Sequence, residues 1–332
     1  MSRVNELRLV ARIAQMYHVE GWRQAEIAKH LRISQATVSR TLKRALDEEI
    51  VRTTIVAPPG IYTDLEAGLR DSFDLPEAIV VECSEDRDGA IMARIGEAAA
   101  QFLEVTLQTD EVIGVSSWSE TILKMVDNIH PRNPGKAKYV VQTLGGMGDP
   151  AVQTHATQLT TRLARLTGAE PRLLNAPGVA QSREAKLVLV SDPYIRETMD
   201  LFGKVTLSIV GIGAVEPSRM LADSGNVFSA NELTEVTEAG AVGDISLRFF
   251  DDDGNSIRTP LDDRVIGMRL EEMGNVDRVI ALAGGESKTE AIRGALRIGV
   301  IDVLITDKFT AERLQRPASS GSGFQAAQTL SA

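Results

Sequence analysis

From residue 78 to residue 315 short apolar runs alternate with segments of helical periodicity, and that alternation constrains the fold more than any other feature. The runs 78–82 (AIVVE), 111–115 (EVIGV), 139–143 (YVVQT), 187–190 (LVLV), 205–211 (VTLSIVG), 279–283 (VIALA) and 303–306 (VLIT) read as strands. Helical patterns fall at 88–107, 120–129, 151–167, 192–201, 231–240, 288–298 and 308–315. Strand and helix in turn require a mainly parallel sheet with helices on both faces, a Rossmann-like α/β fold. Strands buried on both sides need no polar alternation, which suits runs as apolar as these.

In such a sheet ligands bind beyond the carboxyl ends of the strands, in the loops that lead into helices. Four of those loops carry glycine and polar residues. Ser116, Ser117, Ser119 and Thr121 lie in GVSSWSET, after the second run. Their hydroxyls, together with amides at a helix start, suit sugar hydroxyls or a phosphate. Gly145 and Gly146 follow the third run, GAVGD supplies Asp244, and AGGESK supplies Lys288. Asp244 would accept from ligand hydroxyls and Lys288 would donate. Taken singly, each of these loops reads more readily as a plain turn after a strand, and the alternative for Asp244 with Lys288 is a surface ion pair. The ligand reading gains from topology, because a parallel sheet brings several such loops to one rim.

Ahead of this body stands a different kind of segment. Residues 4–19 carry Val4, Leu7, Val10, Ala11, Ala14 and Tyr17 on a helical stripe, and Gly21 ends it. The stretch 24–43, QAEIAKHLRISQATVSRTLK, has the features of a helix-turn-helix. Ile27, Leu31, Ile33, Val38 and Leu42 fill the wedge between two crossing helices, and Ala28 is small where they approach. Ser34 precedes the second helix and can cap it. Gln35, Thr37, Ser39, Arg40 and Lys43 then face solvent, side chains suited to base edges and phosphates in a major groove. With Gln24, Ser34 and Ala36 they form the candidate DNA-binding set. Arg32 stands where such a turn often has glycine, and a positive φ there would cost about 1 kcal/mol. A helical hairpin used only for packing is the alternative. The run of polar and cationic side chains with no carboxylate before Asp47 favours DNA. Residues 50–56 (IVRTTIV) read as a short strand, the wing of a winged module, and Pro58-Pro59-Gly60 stops regular structure. The expected domains are therefore 1–57 for DNA and 58–316 for an effector and for oligomerisation. A small, polar tail at 317–332 is expected to be disordered.

Charge follows the same division. Residues 1–57 hold ten Lys/Arg against six Asp/Glu, a net +4, which leaves −14 for the remainder of a chain whose net charge is −10. A basic module joined to an acidic body suits a nucleic-acid partner at one end only. The single cysteine, Cys83, excludes an intrachain disulfide and a cysteine zinc site of the usual four-ligand kind, and the four histidines lack ligand spacing. No metal and no cofactor are expected. The opening MSRVNELRLVARIAQ has no apolar core of signal-peptide length, and no run approaches the roughly 20 apolar residues of a membrane span. A soluble, cytoplasmic protein with no membrane partner is the expectation.

These segments together resemble the SorC family of bacterial sugar-responsive regulators, which also includes regulators of central glycolytic genes, deoxyribonucleosides and autoinducer-2. The likeness is carried by QAEIAKHLRISQATVSRTLKRALDEEIV, GAVGDISLRFFDDDG, DRVIG, AGGESKTEAIRGAL and VLITD, and it spans about residues 5 to 315. It implies a sensor domain similar to sugar-phosphate isomerases and glucosamine-phosphate deaminases that acts without turnover. It also implies a homotetramer bound to double-stranded operator DNA, and a sugar, polyol or sugar-phosphate effector. In the family the effector lies among the glycine-serine loop, the aspartate of GAVGD and the lysine of AGGxxK. Those match Ser116 to Thr121, Asp244 and Lys288. One departure matters: where many members show GxSWGxT with a basic residue near its end, this chain has Glu120. A carboxylate there would repel a phosphate dianion, so an unphosphorylated sugar or polyol is expected. The alternative function is an isomerase or deaminase on the same sheet, although no acid–base pair stands out and neither His130 nor His155 has an evident partner.

Overall fold

The computed structural model describes residues 3–52, 57–130, 137–226 and 228–316. The chain divides into two compact units, Met1–Pro58 and Pro59–Ala332.

The first unit is three helices, α1 (Arg3–His18), α2 (Gln24–Leu31) and α3 (Gln35–Asp47). Their shared core is Val10, Ile13, Ala14, Met16, Ile27, Ala28, Val38, Leu42 and Ala45, flanked by Leu31 and Ile33. The wedge residues expected between α2 and α3 are thus where the pattern put them. The stripe on α1 is rotated from the expected one: Ile13 and Met16 are buried, whereas Ala11 and Tyr17 face solvent. Arg32 takes the left-handed conformation, φ 56° and ψ 43°, and its amide donates to Ala28 O to close α2. Ser34 Oγ accepts from Thr37 N at 3.1 Å and starts α3. After α3, residues 50–52 form a bend and no strand, with Val51 N returning to Ala45 O. The rest of the expected wing, and the expected disordered tail, lie outside the described residues.

The second unit opens with α4 (Thr63–Phe73), β1 (Glu77–Val81), α5 (Asp88–Thr106), β2 (Glu111–Val115), α6 (Glu120–Asn128), β3 (Ala137–Gln142), α7 (Pro150–Thr167) and β4 (Glu170–Arg172). It continues through α8 (Arg183–Ser191), α9 (Pro193–Met199), β5 (Leu207–Gly211), β6 (Gly213–Ala214), α10 (Arg219–Asp223), α11 (Ala230–Glu238), β7 (Gly243–Ile245) and β8 (Arg248–Phe250). It ends with α12 (Leu270–Met273), β9 (Arg278–Leu282), α13 (Thr289–Arg297), β10 (Val303–Asp307) and α14 (Lys308–Leu314). Seven strands form one parallel sheet in the order β1-β10-β9-β5-β2-β3-β4. A separate antiparallel sheet joins β6, β7 and β8.

Successive residues on the strands feed two cores. Val112, Val141, Val210 and Leu304 belong to one, with Leu69, Ile195, Ile292 and Leu314 from α4, α9, α13 and α14. Ile113, Val140, Ile209 and Ile305 belong to the other, with Ile91, Ile122 and Leu159 from α5, α6 and α7. Both faces are covered, as the unbroken apolar runs require. Among the described residues no helix is long and apolar enough to cross a membrane.

One expected strand is a helix. LVLV at 187–190 lies in α8, where Ser182 caps the start by accepting from Ala185 N at 3.1 Å. Leu189 and Val190 pack against the core, while Leu187 and Val188 are exposed. A four-residue apolar run fits a helix turn as well as a strand, and the cap decided it.

Candidate DNA-binding face and effector site

On α3 the buried residues Val38, Leu42 and Ala45 leave Gln35, Ala36, Ser39, Arg40 and Lys43 exposed on the opposite side. Thr37 is half-buried, its hydroxyl 2.8 Å from that of Ser34, and Gln24 is half-buried at the first turn of α2. Arg44 is taken up by Glu48, at 2.6 Å, and by Glu6 of α1 at 3.6 Å. Arg40 and Lys43 have no ion-pair partner among the described residues. The cations that point away from the bundle are therefore unneutralised, and the one that faces α1 is spent on holding the helices together.

In the second unit the strand order itself marks a site. β2, β3 and β4 run outward in one direction; β5 then returns to the other side of β2 and is followed by β9, β10 and β1. In open parallel sheets such a switch in strand order marks where ligands bind, beyond the carboxyl ends of the strands, here those of β2 and β5. Ser116 and Ser117 are buried in the loop after β2. Ser119 caps α6 by accepting from Ile122 N, and Thr121 is buried in the first turn. Gly211, the last residue of β5, lies against this loop: a Cβ there would stand 2.9 Å from Ser119 Oγ.

Asp244 enters from the small sheet, on β7, paired with Gly213 of β6. A side chain at Gly213 would collide with Asp244 Oδ1. Leu247 N donates to Asp244 Oδ2 at 2.7 Å. Burial pushes this carboxyl up to about 6, against the opposing pull of the Leu247 bond and of Lys288. Lys288 follows β9. Its ammonium is pushed below the usual lysine range by burial, opposed by Asp88, Asp244 and Glu120 in that order. Asp88, at the start of α5, was not evident in the sequence as a site residue; its only signal there is a place in a loop that follows a strand. Gly285, at φ 103°, makes room for Asp88 Oδ1, which would stand 2.7 Å from a Cβ. The structure thus gathers Lys288, Asp88, Asp244 and Glu120 into one electrostatic group beside the serine loop.

Gly145 and Gly146 are tightly packed beside this loop. Their amides donate to Ile266 O and Leu174 O, and Gly145 O accepts from Trp118 Nε1 at 2.9 Å. A Cβ on either would collide with Pro177 or Gln142. They set the backbone on which the serine loop rests. Asn226, also unmarked in the sequence, fixes the neighbouring turns by accepting from Gly178 N at 2.6 Å and donating to Met147 O at 2.9 Å.

Comparison with known proteins meets the same two units. Residues 59–315 match the family model described as "Putative sugar-binding domain", and residues 5–50 match a homeodomain-like helix-turn-helix model. The full-length sorbitol operon regulator SorC of Klebsiella pneumoniae superposes with a TM-score of 0.70 at 26% identity, covering 93% of this chain and 99% of that one. The chain belongs to the SorC family of sugar-responsive transcriptional regulators. The erythritol catabolism regulatory protein EryD of Brucella abortus is 31% identical, with 92% of this chain and 96% of that protein covered. The deoxyribonucleoside regulator of Bacillus subtilis is 30% identical over 91% of this chain and 95% of its own length. As a SorC-family regulator the chain pairs its helix-turn-helix with a parallel-sheet sensor, as the sequence implied.

Proposed function

We propose that residues 1–57 bind operator DNA through the exposed side of α3, with Gln24, Ser34, Gln35, Ala36, Thr37, Ser39, Arg40 and Lys43 at or around the groove. Residues 58–316 bind the effector and join subunits into a homotetramer. The effector is a small, unphosphorylated sugar or polyol, held among Ser116, Ser117, Ser119, Thr121, Gly145, Gly146, Asp244 and Lys288. The observation that carries this reading is the charge balance at this site: three carboxylates, Asp88, Asp244 and Glu120, act on one ammonium, Lys288. Hydroxyls can donate to such a site, whereas a phosphate dianion would meet excess negative charge. That two relatives regulate sorbitol and erythritol genes agrees with a polyol. Two-fold symmetry of the heads asks for a near-palindromic operator with half-sites spaced by whole helical turns.

Calorimetry against free and phosphorylated members of a sugar and polyol panel tests the effector class. Free compounds are expected to bind, and a clear preference for the phosphate esters would refute the assignment. Lys288→Ala is expected to keep operator affinity and lose the response to effector in a gel-shift titration; an unchanged dose response would contradict it.

An enzyme would draw on the same residues, because Asp244, pushed up to about 6, can take up or release a proton near neutral pH. The regulator reading expects no turnover when candidate sugar phosphates are incubated with the protein and followed for isomerisation or deamination.

A further inference from the structure

β7 and β8 are joined by a two-residue turn, Ser246-Leu247, since Ile245 pairs with Arg248. Both turn residues have positive φ, 54° and 63°. Hairpins of this kind favour Asn-Gly, because other residues are strained there. A leucine kept in such a conformation points to a task for its side chain or its amide. Here both have one. The amide holds Asp244 Oδ2, and the side chain lines a cleft that begins at the same carboxyl group. The cleft is narrow, with a cavity volume of about 10 Å³, room for one methyl-sized group, and among the described residues Asp244 is its one polar lining residue. Val215, Leu221, Leu233 and the Phe228–Phe249 pair complete the walls. The two rings stand 5.9 Å apart, and the Arg264 guanidinium backs Phe228 at 5.7 Å.

We propose that this cleft reads a deoxygenated or methyl-bearing carbon of the effector, next to a hydroxyl that donates to Asp244. The proposal rests on the effector site assigned above and narrows its ligand class. A hydroxyl pushed between these walls would leave water for a surface that offers it no acceptor beyond the Asp244 carboxyl, which is already engaged. A bare carbon loses nothing there and buries apolar area.

Calorimetry on the full chain with pairs differing by one oxygen decides it: D-ribose and 2-deoxy-D-ribose, L-mannose and L-rhamnose, erythritol and 1-deoxyerythritol, with the phosphate esters of the ribose pair alongside. At least one deoxy member is expected to bind tenfold or more tighter than its partner. Val215→Thr, nearly equal in volume, puts a hydroxyl in the wall and is expected to bring that ratio towards one, whereas Lys288→Ala weakens both members together. If the fully hydroxylated member binds as well or better in every pair, the cleft proposal falls while the effector site stands. If Val215→Thr leaves the ratio unchanged, another surface reads the carbon and the proposal falls. If no member of any pair binds, free or phosphorylated, the effector site and the cleft proposal fall together.

Discussion

Asp244 sits between two demands. Burial lifts its pKa from 3.8 to about 6, so the unliganded native state holds a proton that the unfolded chain has released in the window between those values. A carboxyl with a raised native pKa contributes stability below its unfolded pKa and loses it as pH rises through the native one. For a shift of this size the loss is about 2 kcal/mol between pH 4 and pH 7. Asp244→Asn keeps an acceptor for Leu247 N and removes the charge. It should raise the melting temperature by about 2–6 °C at pH 7 and change it little at pH 4, in parallel calorimetric scans. The same variant should weaken effector binding at pH 7, because a neutral amide is a poorer acceptor for a hydroxyl. In the wild-type protein, effector affinity measured from pH 7.5 down to pH 5 should fall as the carboxyl takes up its proton; a flat profile would remove Asp244 from the binding set.

At the scale of elements, α3 separates folding from recognition by face. Val38, Leu42 and Ala45 hold it in the bundle, and Ser34 sets where it starts. Ser34→Ala should cost about 1 kcal/mol of stability in the three-helix unit, read from denaturant unfolding. Arg40→Ala should abolish specific operator binding in a gel shift and leave effector binding intact. Lys43→Ala should weaken binding to all sequences alike and lower the slope of log affinity against log salt by about 1. These elements were legible beforehand because their chemistry is local: a cap, a turn, a stripe of period 3.6. The long strands were legible for the same reason, as unbroken apolar runs. α8 was not, since four apolar residues carry no period long enough to tell helix from strand. β6, β7 and β8 were not, since the hairpin turn is Ser-Leu where Asn-Gly would have announced it. Asp88 escaped notice because a carboxylate opening a helix has an ordinary explanation in the helix dipole, and only the folded sheet brings it to Lys288.

The whole molecule must connect what it senses with what it binds. The first residues of the sensor unit are fastened to the carboxyl rim of its sheet: Tyr62 donates to Glu82, which also accepts from Lys308. Glu82 follows β1 and Lys308 follows β10. Asp307, the last residue of β10, holds Thr310, and Thr310 Oγ1 accepts from Gly285 N at 2.8 Å, in the loop that carries Lys288. One continuous set of hydrogen bonds and adjacent residues therefore joins the start of the unit to the loop that carries Lys288. Glu82→Gln should leave operator affinity and effector affinity each within about threefold of wild type. The factor by which one ligand changes the other's affinity should shrink towards one. Fluorescence titrations of operator with and without effector measure that factor, and an unaltered value would mean that the connection runs elsewhere.

The pairing of β1 with β10 has a further effect, on how the protein is made. Among the described residues, 77–81 have one neighbouring strand in the parallel sheet, residues 303–307. On the ribosome, the three-helix head is complete long before that neighbour has been synthesised, and β1 stays unpaired until residues 303–307 have emerged. A product truncated before residue 303 would then keep a head able to fold while its sensing half lacks the strand that pairs with β1, so it would be a regulator that can no longer hear its signal.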